Sequence, residues 1–262
     1  MAIISLNEYP SPRTYMTHQN KMIIIKELQD SFLKIASEKK KLWWEKYMRN
    51  VINFRGVGIP DIRNLQKEWY KKHLEHLRYK EQIEISLEFF RQDLAEDKLA
   101  GTLLLQNYLF DKVSLSYMIE QYDVIFKEEL IYDWNICDWF CVRVLSATIK
   151  KYERDAADII SSWSTDPYLW KARASVVAFI GLTKEDKYYS FIFENCAVLI
   201  QREERFAKTA VGWILHDIYK ADEKVVFDFV NKYLKYFDKE SLKNALKYAD
   251  KEVQKKYLLN LS

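Results

Sequence analysis

The stretch Ile24-Ile25-Lys26-Glu27-Leu28-Gln29-Asp30-Ser31-Phe32-Leu33-Lys34-Ile35 decides the fold class. Its apolar positions Ile24, Ile25, Leu28, Phe32 and Ile35 recur at helical spacing, as in a helix with one face turned to a core. Downstream, Trp43, Trp44, Tyr47 and Met48 predict a second helix over about 40–53. The run Gly56-Val57-Gly58-Ile59-Pro60-Asp61 is the strong break in the first half. Pro60 and Asp61 suit a helix's first turn, where a missing N–H costs nothing and a carboxylate meets the positive dipole end. Ile62, Leu65 and Trp69 carry that helix to about His73. Further helices are expected near 79–92, 95–110, 114–130, 133–149, 153–163, 167–181, 184–201, 203–219, 221–236, 239–248 and 250–259. Five Gly and four Pro in 262 residues leave too few turn formers for a strand-rich chain. The expected fold is all-α.

Composition narrows the class further. Hydrophobic residues make up 49% and aromatics 15%, which excludes general disorder. Lys+Arg 41 against Asp+Glu 38 gives a net charge of +3, so a nucleic-acid partner would require basic groups gathered on one face. Cys137, Cys141 and Cys196 are odd in number and contain no CxxC pair, arguing against a disulfide framework. His73 and His76 read as a solvated face, and no metal or cofactor is expected. The opening residues are too polar for a signal peptide, and no apolar run reaches membrane-spanning length, so a cytoplasmic location is the default. Residues 1–19, with Pro10 and Pro12, read as an extended tail, and residues 20–262 as a single domain.

Short helices with tight connections suit a solenoid of helix pairs, whose repeats run about 40 residues in HEAT-like folds. Trp134, Arg173 and Trp213 are separated by 39 and 40 residues. If each interval is one repeat, the three side chains stand in a row on one surface.

Around those positions lie motifs. Asp133-Trp134-Asn135-Ile136-Cys137-Asp138-Trp139 resembles the W-x-x-x-D signature of bacterial DNA alkylation repair glycosylases of the AlkD type. Trp170-Lys171-Ala172-Arg173-Ala174 is similar to that family's W-x-x-R-A helix. Lys208-Thr209-Ala210-Val211-Gly212-Trp213-Ile214-Leu215 resembles its K-x-x-G-W-x-L helix, with one extra residue before Gly212. Tyr47-Met48-Arg49-Asn50, followed by Phe54 and the Gly-Pro turn, is similar to its N-terminal motif. The likeness covers roughly residues 22–250. There are departures: Gly58 stands where the family often has a polar residue, the stretch Trp139-Phe140-Cys141-Val142-Arg143 lacks small and proline residues, and the segment from about Leu94 to Leu130 is longer.

The resemblance implies a solenoid of HEAT-like repeats with a concave, basic face on duplex DNA, acting as a monomer on alkylated purines without a metal. By position, Asp138 would be the catalytic carboxylate, Trp134 and Trp213 would pack on the damaged nucleotide's sugar, and Arg173 would set the DNA backbone. Arg143, Arg205 and Lys208 are further candidate phosphate contacts; for the run Lys39-Lys40-Lys41 and the Arg202/Arg205/Lys208 cluster an ordinary solvated surface is the stronger plain reading. The chemistry is coherent, because a cationic purine is a good leaving group and a carboxylate stabilises the oxocarbenium-like sugar left behind. Asp138 lies four residues after Trp134, on the same helical face. Plainer readings stand beside these. The tryptophans could be core, with Trp163 and Trp170 as packing, and Asp138 could serve its helix's first turn. Gly56-Val57-Gly58 could imitate a helix-hairpin-helix loop. Two other functions remain open: a DNA-binding solenoid without excision, and a protein-binding HEAT scaffold.

Overall fold

The computed structural model describes residues 16–261. Pro10, Pro12 and the rest of the expected tail up to residue 15 lie outside them. Helix α1 (His18–Ile35) starts inside the stretch read as tail, because Thr17 caps it by accepting the Asn20 N–H. Then follow α2 (Glu38–Tyr47), α3 (Ile59–His73), α4 (Tyr79–Phe90), α5 (Ala95–Leu104), α6 (Leu115–Lys127) and α7 (Trp134–Phe140). The chain continues through α8 (Ser146–Ser161), α9 (Leu169–Val177), α10 (Tyr189–Leu199), α11 (Arg205–Tyr219), α12 (Glu223–Tyr233), α13 (Lys239–Ala245) and α14 (Lys251–Leu259). Among the described residues the β pairing is one isolated bridge between Asn53 and Leu94. No described helix is long and apolar enough to cross a membrane.

Two further boundaries differ from expectation for physical reasons. The second helix stops at Tyr47, because Arg49 and Asn50 turn into the left-handed region with φ of 54° and 57°. The Asn50 N–H then reaches back to the Glu45 carbonyl at 2.8 Å, closing the helix end. Conversely α7 runs through a π-helical turn, Cys141–Leu145, into α8, and the helix breaks only at Glu153 with φ of 47°.

The packing is two-layered. Helices α1, α3, α5, α7, α9, α11 and α13 each pack on the next member of that series, forming one continuous rank. Helix α4 packs on α6, and α8 on α10, behind it. A single buried apolar cluster threads both layers from Ile25 to Ala249. This is an all-α, repeat-type architecture, and it makes positions one repeat apart line up along the front rank.

The two tightest glycine approaches are at Gly56 and Gly212. A Cβ on Gly56, whose φ is +90°, would lie 2.1 Å from the Ser37 carbonyl oxygen. The loop there is gripped by Glu96, whose carboxylate accepts the N–H groups of Arg55, Gly56 and Val57 at 2.8–3.0 Å. Those amides are therefore spent inside the protein, and the helix-hairpin-helix reading of this loop does not hold. Gly212 lets α11 meet α13, since a Cβ there would stand 2.6 Å from the Ser241 carbonyl oxygen. Gly212→Ala is expected to destabilise the fold by about 1–3 kcal/mol through overpacking. Gly181→Ala, where the added carbon meets only ordinary contacts at 3.8 Å, serves as the control in denaturant unfolding.

Candidate active site

Helix α7 begins at Trp134 because Asp133 caps it: Asp133 Oδ1 accepts the Ile136 N–H at 3.0 Å. One turn further on stands Asp138. Across on α9, Arg173 donates Nε–H to Asp138 Oδ1 at 2.8 Å and Nη2–H to Oδ2 at 2.9 Å, a bidentate pair. Arg173 Nη1 donates to the Phe206 carbonyl of α11 at 2.6 Å and lies 3.3 Å from Thr209 Oγ1. Arg173 is only 4% exposed, and Asp138 keeps 15% of its side chain exposed. Burial pushes the Asp138 carboxyl up from its ordinary value, with the Arg173 charge opposing that. Burial also works against the Arg173 charge, but Asp138 outweighs it and holds that pKa above its ordinary value.

In front of the pair opens a cavity of about 680 Å³. Its aromatic wall is Tyr47, Tyr132, Trp134, Trp170 and Phe206, and Asp133, Arg173 and Thr209 complete that side. Tyr47, 54% exposed, meets the Trp134 ring edge-to-face at 5.7 Å, closing the cavity from the α2 side. Arg49 and Val51, from the left-handed turn after α2, line it too. On the far side Arg205 is held bidentately by Glu240 of α13, with both contacts at 2.7 Å.

The structure thus brings together Trp134, Arg173 and Arg205 in one cavity wall, with Asp138 bonded to Arg173 behind it. Trp213 is half-buried and outside the lining. It stands one helical turn beyond Thr209 and so continues the same face of α11. The four basic side chains expected at DNA each have a partner within the protein. Arg173 already engages Asp138 and the Phe206 carbonyl with its fork. Lys208 donates to the Tyr236 carbonyl at 2.7 Å, and Arg205 is bound by Glu240, so both basic groups begin with protein partners. Arg143 is exposed but lies over the Trp139 ring, 5.1 Å from its centroid, and not in the cavity. Trp170, read as packing, is buried and also forms wall, with its ring 5.3 Å from Phe206.

Sequence reading missed Arg49 as a site residue. Arg49 lines the cavity, its side chain has no hydrogen bond or ion pair among the described residues, and its backbone sits where non-glycine residues are strained. The quoted Tyr47-Met48-Arg49-Asn50 motif was the available signal. Cys137, Cys141 and Cys196 are free and buried, with the first two sulfurs 3.9 Å apart. Among the described residues no cluster of His, Cys, Asp and Glu could hold a metal ion.

A family profile described as DNA alkylation repair enzyme matches residues 28–249. The chain belongs to that family. Among solved structures, a predicted DNA alkylation repair enzyme from Enterococcus faecalis shares the fold, with a TM-score of 0.72. The likeness covers 82% of this chain and 97% of that one at 14% identity. No curated protein sequence matches the chain. Asp138 and Arg173, the aspartate of the W-x-x-x-D resemblance and the arginine of the W-x-x-R-A one, are the two members of one ion pair.

That pair generates a stability test. Arg173→Met strands the Asp138 charge and is expected to cost about 3–5 kcal/mol in denaturant unfolding. Asp138→Leu combined with Arg173→Met should recover most of the loss, since the charge left behind is gone.

Proposed function

We propose that this chain is a monofunctional DNA glycosylase that hydrolyses the N-glycosidic bond of cationic N3- or N7-alkylated purines in duplex DNA, in base excision repair. Residues 20–262 act as a single HEAT-like repeat domain, a monomeric solenoid whose front rank is the concave DNA-binding face, working in the cytoplasm on the nucleoid. The observation that carries the reading is the Asp138–Arg173 pair set beside the aromatic cavity that Trp134 lines. An alkylated purine leaves with its bonding electrons and becomes neutral, so no cofactor and no general acid is required. The sugar becomes oxocarbenium-like, and the Asp138 carboxylate stabilises that charge and orients the water that attacks C1′. Arg173 acts on the sugar through Asp138, by fixing its orientation and holding it ionised. Trp134 and Trp213 offer π faces to the cationic sugar. Arg49 takes the backbone-setting role first given to Arg173.

One observation favours a second reading, a DNA-binding solenoid without excision: both Asp138 oxygens are held by Arg173, and Asp138 is not itself in the cavity lining. Single-turnover release of free N7-methylguanine from methylated duplex separates the two. Asp138→Asn is expected to slow release roughly 100- to 1000-fold while leaving affinity for undamaged duplex unchanged. Release no faster than spontaneous loss by the wild type would leave only the binding function. The protein-scaffold reading requires that duplex affinity be absent or indifferent to salt.

Binding itself makes a further expectation. Affinity should fall steeply with salt as phosphate contacts displace counterions. Arg49→Gly should weaken binding by a similar factor on every sequence and lower the salt slope by about one. The same variant should unfold at a higher denaturant concentration, by about 1 kcal/mol, because glycine adopts the left-handed conformation without strain.

A further inference from the structure

Helix α2 carries a surface that the fold does not use. Leu42, Trp43 and Tyr47 are each more than half exposed, and no side chain of the helix is buried. Trp43 lies parallel to Tyr47, with 5.2 Å between ring centroids and 8° between planes, so two large rings stand stacked at the surface. Lys39 and Lys46 share that face of the helix, four and three residues from Trp43. Both are exposed, and neither side chain has a hydrogen bond or ion pair among the described residues. Of the acidic residues of α2, Glu45 accepts the Phe54 N–H at 3.1 Å, and Glu38 lies in the first turn. Exposed apolar patches rimmed by charge mark interaction surfaces. Here the rim is positive, which fits a polyanion.

Continuity with the cavity fixes where on the polyanion this strip falls. Tyr47 meets Trp134 edge-to-face at 5.7 Å, so the rings run Trp134, Tyr47, Trp43 outward from the cavity. On the glycosylase reading Trp134 faces the sugar of the damaged nucleotide. Both glycosidic bonds of a base pair emerge on the minor-groove side, and the groove between the two backbones is about 6 Å wide. Two successive ring contacts, of 5.7 and 5.2 Å, span that width and bring Trp43 to the far wall. The bases of that wall are stacked and offer no face. What it offers is deoxyribose C–H surface and phosphates, which an indole flanked by lysines matches.

We propose that Trp43, stacked on Tyr47, packs on a deoxyribose of the undamaged strand across the minor groove, while Lys39 and Lys46 meet that strand's phosphates. The choice of strand rests on the glycosylase reading. Trp134 then bears on one backbone and α2 on the other, and the damaged base is left in its stack. The complementary strand becomes part of the binding site, so recognition requires a duplex.

The test holds the complex in one register. Each duplex carries a single 2′-fluorinated N7-methylguanine nucleotide, whose fluorine disfavours an oxocarbenium-like sugar and so blocks release. A single-nucleotide gap is walked along the complementary strand past the lesion, and the affinity of the full chain is read by fluorescence anisotropy. Wild type should lose about tenfold at one or two adjacent gap positions, the worth of roughly 50 Å² of buried apolar surface. Trp43→Ala should bind intact duplex about tenfold more weakly and lose nothing further at those gaps, while at the others the losses add. Trp43→Phe keeps the stack and should keep most of this coupling. Lys39→Gln combined with Lys46→Gln should lower the salt slope by about two. Trp43→Ala should unfold in denaturant as the wild type does, because the ring belongs to no core. Losses that add at every gap, equal binding of intact duplex by wild type and Trp43→Ala, or an unchanged salt slope in the lysine variant would each overturn the proposal. So would phosphatidylserine vesicles held by wild type and not by Trp43→Ala without that coupling, which would assign the strip to a membrane. Base release from the unfluorinated duplex with additive losses would sink this inference and leave the excision reading standing. Coupling at the gaps without base release would do the opposite.

Discussion

The bidentate contact between Arg173 and Asp138 is the constraint on which the rest of the site depends. One planar guanidinium ties α7, through Asp138, and α11, through the Phe206 carbonyl, to α9. Three successive members of the front rank are thereby fixed in relation to one another by a single side chain. A buried ion pair gives little net stability against an apolar replacement, because desolvation consumes most of the Coulomb gain. Its value lies in specificity. An apolar contact between these helices would tolerate sliding, whereas a fork on a carboxylate has one geometry. The wall residues Trp134, Trp170, Phe206 and Thr209 inherit that geometry, since each lies within a turn or so of an anchored atom.

The two carboxyls of α7 show how environment divides the work of chemically identical groups. Asp138 and Asp133 are both largely buried and five residues apart. Asp138 has a permanent countercharge that holds both its oxygens. Asp133 has the Ile136 amide on one oxygen and no hydrogen-bond partner on the other among the described residues, and burial pushes its pKa up to about 6.

Much of the fold was legible in the sequence because the signals were local. The period of apolar residues placed nearly every helix, and the shortage of Gly and Pro excluded sheets. The 39- and 40-residue intervals placed Trp134, Arg173 and Trp213 on α7, α9 and α11, all members of the front rank. Side-chain partners were not legible. Nothing local tells that the Arg173 fork is filled, because its acceptors come from residues 33–36 positions away. Arg49 and Asn50 read as a continuing helix by propensity, and only the grip of Glu96 on the loop beyond shows where the chain must turn. The capping place of Asp133 could be seen from its position before Trp134; its burial could not, since that needs the neighbouring repeats.

Helix α2 has no buried side chain of its own, although it carries Trp43 and Tyr47, 58% and 54% exposed, to the edge of the cavity. Its position comes from the Gly56 loop held by Glu96 and from Trp44 stacked on Phe54 at 5.7 Å. Folding therefore places almost no demand on the outward residues of this helix. Over evolutionary time its surface is free to drift while the repeats behind it are held by their core. That makes α2 a part of the molecule where residues at the cavity's edge can change without first repairing a damaged fold.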